Sequence, residues 1–294
     1  MNRPLLLLIG AGAALGCNFP LGKLAMAAAI NPALWAAVIA LGAGIIMLGI
    51  SRAVEGVSKN GGPVLLFALT SGFVSYAVPN FLTFAAIPKI GSGLAAIMFA
   101  LSPVVTAFLS MLLRLRPPSL LGLAGIGLGL AGALIIIAAR NADFAAGQSV
   151  WLLLSVLIPI FLGLGNVYRT LAWPEGAGPM RLAALTNLAA VAPLLIAAAL
   201  YPGGIDVAPL LAVPGLVAAQ LAISATMFTM LFRLQQVGGP TYLSQIGYVS
   251  AAVGAGIGVA VLGETYPAMV WAGVAVVAAG IALSTLAQWR GARG

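Results

Sequence analysis

Histidine is absent from this chain, cysteine occurs once, at Cys17, and only five of its 294 residues are acidic. Each shortage excludes a class of chemistry. Without histidine and with a single thiol there is almost nothing from which to build a zinc or haem site, and no internal disulfide can form. No metal and no cofactor is therefore expected. Charge of either sign is scarce, at 6% of residues, against roughly 25% in soluble domains.

What is present instead is apolar: 62% of residues are hydrophobic and 37 are glycine. This composition predicts an integral membrane protein with the lipid bilayer as its first partner. Small residues let membrane helices approach closely, and Gly12 with Gly16, Gly125 with Gly129 and Gly254 with Gly258 each have the GxxxG spacing. A net charge of +8 would suit a nucleic acid if the basic residues clustered on a soluble face. They punctuate the ends of apolar runs, so no nucleic acid is expected. Two short patterns mislead. Arg3 followed by LLLLIGAGAALGC has the outline of a lipoprotein signal, but Ala14 stands where a large aliphatic residue belongs and many further spans follow. Gly16 and Gly22-Lys23 are one residue too far apart for a phosphate-binding loop, and Leu24 replaces its Ser or Thr.

Cuts at Gly, Pro and charge clusters give ten transmembrane helices, at 5–29, 33–51, 63–87, 91–113, 118–138, 149–172, 180–200, 208–235, 240–262 and 267–288. With the N-terminus in the cytoplasm, Arg3, Arg52, Lys59, Arg114, Arg116, Arg169, Arg181, Arg233, Arg290 and Arg293 fall at cytoplasmic ends, and only Lys89 and Arg140 fall outside. The positive-inside rule then places both termini in the cytoplasm. Trp35, Trp151, Trp173, Trp271 and Trp289 lie near proposed helix ends, where they are expected as interfacial anchors.

A shift of 148 superposes Asn18 on Asn166, Phe84 on Phe232, Ser102 on Ser250, Ala124-Gly125 on Ala272-Gly273 and Ala131-Gly132 on Ala279-Gly280. The offset is constant, which marks an internal repeat: residues 1–140 and residues 149–294, each with five helices. An odd helix count makes the second copy enter the membrane upside down, the inverted-repeat plan that underlies alternating access.

LGCNFPLGK at Leu15 to Lys23, ALSP at Ala100 to Pro103, LGETY at Leu262 to Tyr266 and the small-residue last helix of each half resemble the drug/metabolite transporter superfamily, EamA type. Within it the chain is most similar to bacterial amino acid exporters of the YddG kind. Two positions depart from the pattern: Leu15 stands where a Trp often precedes the glycine, and Arg116 where an acid is common, although Glu264 keeps that acid in the second half. The resemblance implies an all-α exporter in a bacterial inner membrane, with amino acids, aromatic and other apolar ones among them, as substrates. A monomer or weak homodimer is expected. The rival within transporters is a proton-coupled exporter of cationic drugs or of another small metabolite.

Polar side chains at mid-span should face inward. Thr241, Ser244, Gln245 and Tyr248 form one stripe at helical spacing; Tyr76, Pro79, Asn80 and Thr83 form another. The repeat mates of Tyr76 and Pro79 are Ser224 and Met227, which make a third with Gln220. Each such residue either lines a substrate path or bonds a neighbouring helix. Asn18 and Asn166 stand open between these roles. Lys23 either attracts a substrate carboxylate or reaches outward to the membrane surface. Met98, Phe84, Phe99 and Met227 are expected as apolar walls, with Ser102 beside them. Pro79 and Pro103 are hinge candidates, since each removes a backbone bond and frees a carbonyl, at Ser75 and Phe99. Pro159 and Pro193 do the same at Ser155 and Ala189.

No enzymatic centre is expected. Asp143, Asp206, Glu55, Glu175 and Glu264 all lie away from mid-span, and no nucleophile sits beside a base. The same lack of intramembrane acids predicts facilitated rather than ion-coupled transport.

Overall fold

The computed structural model describes residues 3–56, 61–113, 119–141 and 146–291, with backbone alone at some positions, among them 238–245. No strand occurs among the described residues. The chain runs through α1 (Arg3–Ala27), α2 (Pro32–Val54), α3 (Gly62–Ser71), a π-helical segment (Gly72–Ala77), α4 (Val78–Ile90), α5 (Ser92–Ala100), α6 (Ser102–Leu112) and α7 (Leu120–Asn141). It continues through α8 (Ala146–Ser155), α9 (Leu157–Leu171), α10 (Pro179–Leu200), the short α11 (Ala208–Ala212), α12 (Pro214–Ala260) and α13 (Ala268–Gly291).

Among the described residues, seven stretches are long and apolar enough to cross a bilayer: Leu5–Ala27, Pro32–Val54, Gly62–Ile90, Ser92–Leu112, Val150–Leu171, Pro179–Leu200 and Pro214–Gln235. Leu120–Gly132, Ile246–Ala260 and Ala268–Gly280 are shorter apolar helices. Leu65, Leu66, Leu112, Leu200 and Leu211 are exposed on the outside of this bundle, as a lipid-facing surface requires.

Helical bonding is unbroken through α12, where the sequence predicts a loop at 236–239. The helix nevertheless doubles back. Met230 packs at Gly10 and Val249 at Gly12, although a straight helix would separate Met230 from Val249 by about 28 Å. The chain therefore reverses between these two residues, and both arms lie along α1. Close approach explains the glycines: a Cβ on Gly16 would stand 2.7 Å from Val253 Cβ and 2.9 Å from the Ser250 carbonyl.

Several contacts exchange under the 148 shift. A Cβ on Gly132 would meet Gly273 O and Val277 N at 2.7 Å; one on Gly280 would meet Gly125 O and Gly129 N at 2.6 Å. Gly273 and Val277 are the shifted images of Gly125 and Gly129, so α7 and α13 use the same surface on each other, running antiparallel, as a local two-fold axis demands. Likewise Gly42 on α2 receives Leu221 of α12, while Gly72 receives Ala189 and Ala190 of α10.

Helix ends show why the chain breaks where it does. Asn31 Oδ1 accepts from Ala33 N (3.0 Å) and Leu34 N (3.2 Å) at the start of α2, with Pro32 in the first turn. Two other helices are capped by acids from distant loops. Glu55 accepts from Met180 N (2.9 Å) and Arg181 N (3.0 Å) on α10; Glu264 accepts from Ser92 N (2.9 Å) and Gly93 N (3.0 Å) on α5. Gly91, at φ +85°, makes the turn from α4 into α5 that a side chain would strain.

Candidate functional site

Three interruptions line up with prolines. The π-helical segment ends just before Pro79, the α5–α6 rod breaks at Leu101 before Pro103, and the α8–α9 rod breaks at Val156 before Pro159. Each proline lacks the N–H that would continue the ladder. Pro193 differs, because α10 runs through it without a break. The hinge candidates Pro79 and Pro103 therefore coincide with irregular backbone, and so does Pro159.

Between these interruptions lies an interior cavity of about 70 Å³. One side is polar: Ser75 from the π-helical segment, Asn80 from α4, Ser102 from α6, and Asn166 and Arg169 from α9. The other is apolar, with Leu15, Phe99, Leu162, Met227, Phe228 and Leu231. A larger hollow of about 290 Å³ opens between Asn31, Pro88, Tyr201 and Asp206 at the helix ends. It is a surface cleft among loops, and Asp206 there is exposed. The smaller cavity is the candidate site, because it collects buried polar groups in the bundle interior, where hydrocarbon offers them no partner. Its volume fits only two or so waters. Admitting a metabolite requires its walls to move.

A chain of hydrogen bonds fixes the polar side. Thr106 Oγ1 donates to the Ser102 carbonyl (2.7 Å) and accepts from Asn166 Nδ2 (3.1 Å), and Asn166 Oδ1 accepts from Arg169 Nη2 (2.6 Å). The order of donors leaves Asn166 one orientation, its oxygen toward the guanidinium. Arg169 is only 6% exposed, lies over the Phe232 ring at 5.9 Å, and keeps its Nε without a partner among the described residues. Sequence reasoning counted Arg169 as a cytoplasmic-end charge. Only its spacing from Asn166, three residues on one helix face, hinted otherwise.

Of the expected residues, the structure brings Asn80, Phe99, Ser102, Asn166 and Met227 to the cavity. Asn80 Nδ2 donates to the Tyr76 carbonyl (2.9 Å). Asn18 goes elsewhere: its Oδ1 accepts from Gln220 Nε2 (2.6 Å) and Ser224 Oγ (3.4 Å), which clamps α1 to α12. Ser224 and Asn18 are thus interhelical fasteners rather than cavity walls. Thr83 spends its hydroxyl on the Pro79 carbonyl (2.6 Å) within α4, and Met98 is wholly buried in the core and does not line the cavity. Tyr76 and Pro79 are buried beside it, Tyr76 tilted against Phe228 with its hydroxyl unpartnered among the described residues. Tyr248 is half-buried on the second arm of α12. The side chains of Thr241, Ser244 and Gln245 lie outside the described ones.

Lys23 does not face the cavity. Its Nζ lies 2.7 Å from Glu264 Oε1. Ser92 Oγ donates to the same oxygen (2.6 Å) and Tyr266 to the other. Burial raises the Glu264 pKa, but the bonds from Lys23, Ser92 and Tyr266 outweigh it and hold the carboxyl at about 2. Trp35 also departs from expectation: it is fully buried rather than interfacial. Trp271 is exposed, and Trp151 and Trp173 are half-buried. No group of metal-ligating side chains occurs among the described residues.

A helical bundle with a lipid-facing apolar surface defines a multi-pass membrane protein, and its interior holds a small cavity with a polar and an apolar side. Residues 2–138, a little under half of the chain, match the EamA-like transporter family, a family of small-molecule membrane transporters and not of enzymes. A crystal structure described only as that of a protein is similar over 97% of this chain and 98% of its own, at 20% identity and a TM-score of 0.64, and shares the fold. No curated protein matches.

Proposed function

We propose that the chain exports amino acids, aromatic and other apolar ones among them, across a bacterial inner membrane by alternating access, with both termini in the cytoplasm. The observation that carries this reading is the two-sided cavity: an amide, hydroxyl and guanidinium side for a polar head, and a Phe99, Met227 and Phe228 side for an apolar body. Residues 1–140 and 149–294 act as the two inverted halves. The interchange of Gly132 and Gly280 contacts across α7 and α13 supports that division. The working unit is a monomer or weak homodimer.

Flux is facilitated, driven by the substrate's own gradient. Glu55 and Glu264 are committed to capping helices, and Asp206 and Glu175 are exposed, which leaves no free buried acid among the described residues to carry a proton. Counterflow in proteoliposomes across amino acids, sugars, nucleosides and cationic amines tests the substrate class. Preference for amino acids is expected, and flux of amines alone would reject the reading. Accumulation above equilibrium under an imposed pH or sodium gradient would reject facilitated transport.

A further inference from the structure

Arg169 is the one described cation in this bundle that is buried, faces the cavity and has no acid beside it. Among the described residues its only hydrogen bond runs to Asn166 Oδ1, a neutral acceptor on its own helix, and one face lies over Phe232. A guanidinium carries five N–H donors in a planar fork, and here Nε is buried without a partner among the described residues. An arginine at a helix C-terminus ordinarily complements the dipole and extends to the membrane surface. At 6% exposure this side chain does the opposite and turns inward. Leaving a charge in an enclosed apolar setting is unfavourable unless something pairs with it. Among the described residues that line the cavity there is no acid to do so.

We propose that Arg169 is the anion-binding residue of the transport site and that the carried molecule brings a carboxylate to it. Asn166, pinned by Thr106, aims the guanidinium; the apolar walls opposite take the substrate's body. This deepens the reading of the chain as an amino acid exporter and rests on it, and it assigns the carboxylate contact to Arg169 rather than to Lys23, whose charge Glu264 already meets.

The probes are phenylalanine and phenylalanine amide, which differ at the carboxyl group alone. Loss of a charge-assisted bond predicts that the amide competes about 10- to 100-fold less well on the wild type. Two readouts are taken together: counterflow inhibition in proteoliposomes, and ligand-induced thermal stabilisation of the detergent-solubilised protein, which reports binding without transport. Arg169→Gln should lose the preference for acid over amide, and Arg169→Lys should keep part of it. Equal competition by acid and amide on the wild type overturns the Arg169 assignment while leaving the transporter reading intact, and needs no variant to fold. Stabilisation by the acid alone, with no flux, keeps Arg169 and rejects amino acid export. Neither flux nor stabilisation by the acid overturns both.

Discussion

Lys23 on α1 and Glu264, 241 positions later, form an ion pair at 2.7 Å that also holds the first turn of α5, since the same carboxylate accepts from Ser92 and Gly93. Three segments therefore meet at one acid: α1, the start of α5, and the connection between α12 and α13.

This pairing gives a pH signature. The Glu264 carboxyl titrates at about 2 in the fold against an ordinary 4.5, so its contribution to stability is complete above about 4.5 and disappears as pH falls toward 2. Glu264→Gln should lower stability near neutral pH by about 1–3 kcal/mol. The gap from wild type should close as pH falls through that window. Thermal melts of both proteins in detergent between pH 7 and pH 3 check this; a gap independent of pH would show that the ion pair contributes nothing.

The α7–α13 contact predicts matched effects at repeat mates. Gly132→Ala and Gly280→Ala each drive a methyl into backbone 2.6–2.7 Å away, where nothing can rotate aside. Both should destabilise by about 1–3 kcal/mol. Gly127, with no atom within 4 Å of an added Cβ, is the control and should tolerate alanine. Melting temperatures of the three variants decide the matter, and unequal losses at Gly132 and Gly280 would argue against the two-fold contact.

Asn18 and Asn166 should separate by function although the repeat pairs them. Asn18→Ala removes the acceptor that Gln220 and Ser224 share, leaving them only the bond to each other, and should cost about 1–3 kcal/mol in stability with little change in KM. Asn166→Ala frees the guanidinium at the cavity and should raise KM at least several-fold. Side-by-side melting curves and counterflow kinetics distinguish the two; a KM effect at Asn18 equal to that at Asn166 would place both at the substrate.

Orientation is checked with single cysteines in a chain whose Cys17 is replaced by serine. A cysteine at exposed Asp206 should react with a membrane-impermeant maleimide from outside intact cells, and one at exposed Gly61 only after the membrane is opened. The reverse pattern would invert the proposed topology.

Composition and periodicity alone marked this as a membrane bundle, placed the ends of most of its apolar helices within a few residues, and showed a sequence repeat at a constant offset. Those features are local or additive: a proline or glycine punctuates its own segment, and a constant 148 offset survives any packing. Faces were legible too: Asn80, Ser102, Asn166 and Met227 do turn toward one interior cavity. What a face meets was not. Helical spacing gives a direction around one axis, whereas a contact depends on the rotation of two axes. Only the tertiary structure could turn Asn18 onto Gln220 while its mate Asn166 turned onto Arg169, or carry Glu264 across the fold to Lys23. The continuous helical bonding of α12 likewise arises where both arms pack on α1, and Arg169 looks inward because Phe232 and Asn166 hold it there. A charge near a helix end reads the same in sequence whether it points to water or to a cavity; the neighbours that decide between them come from other helices.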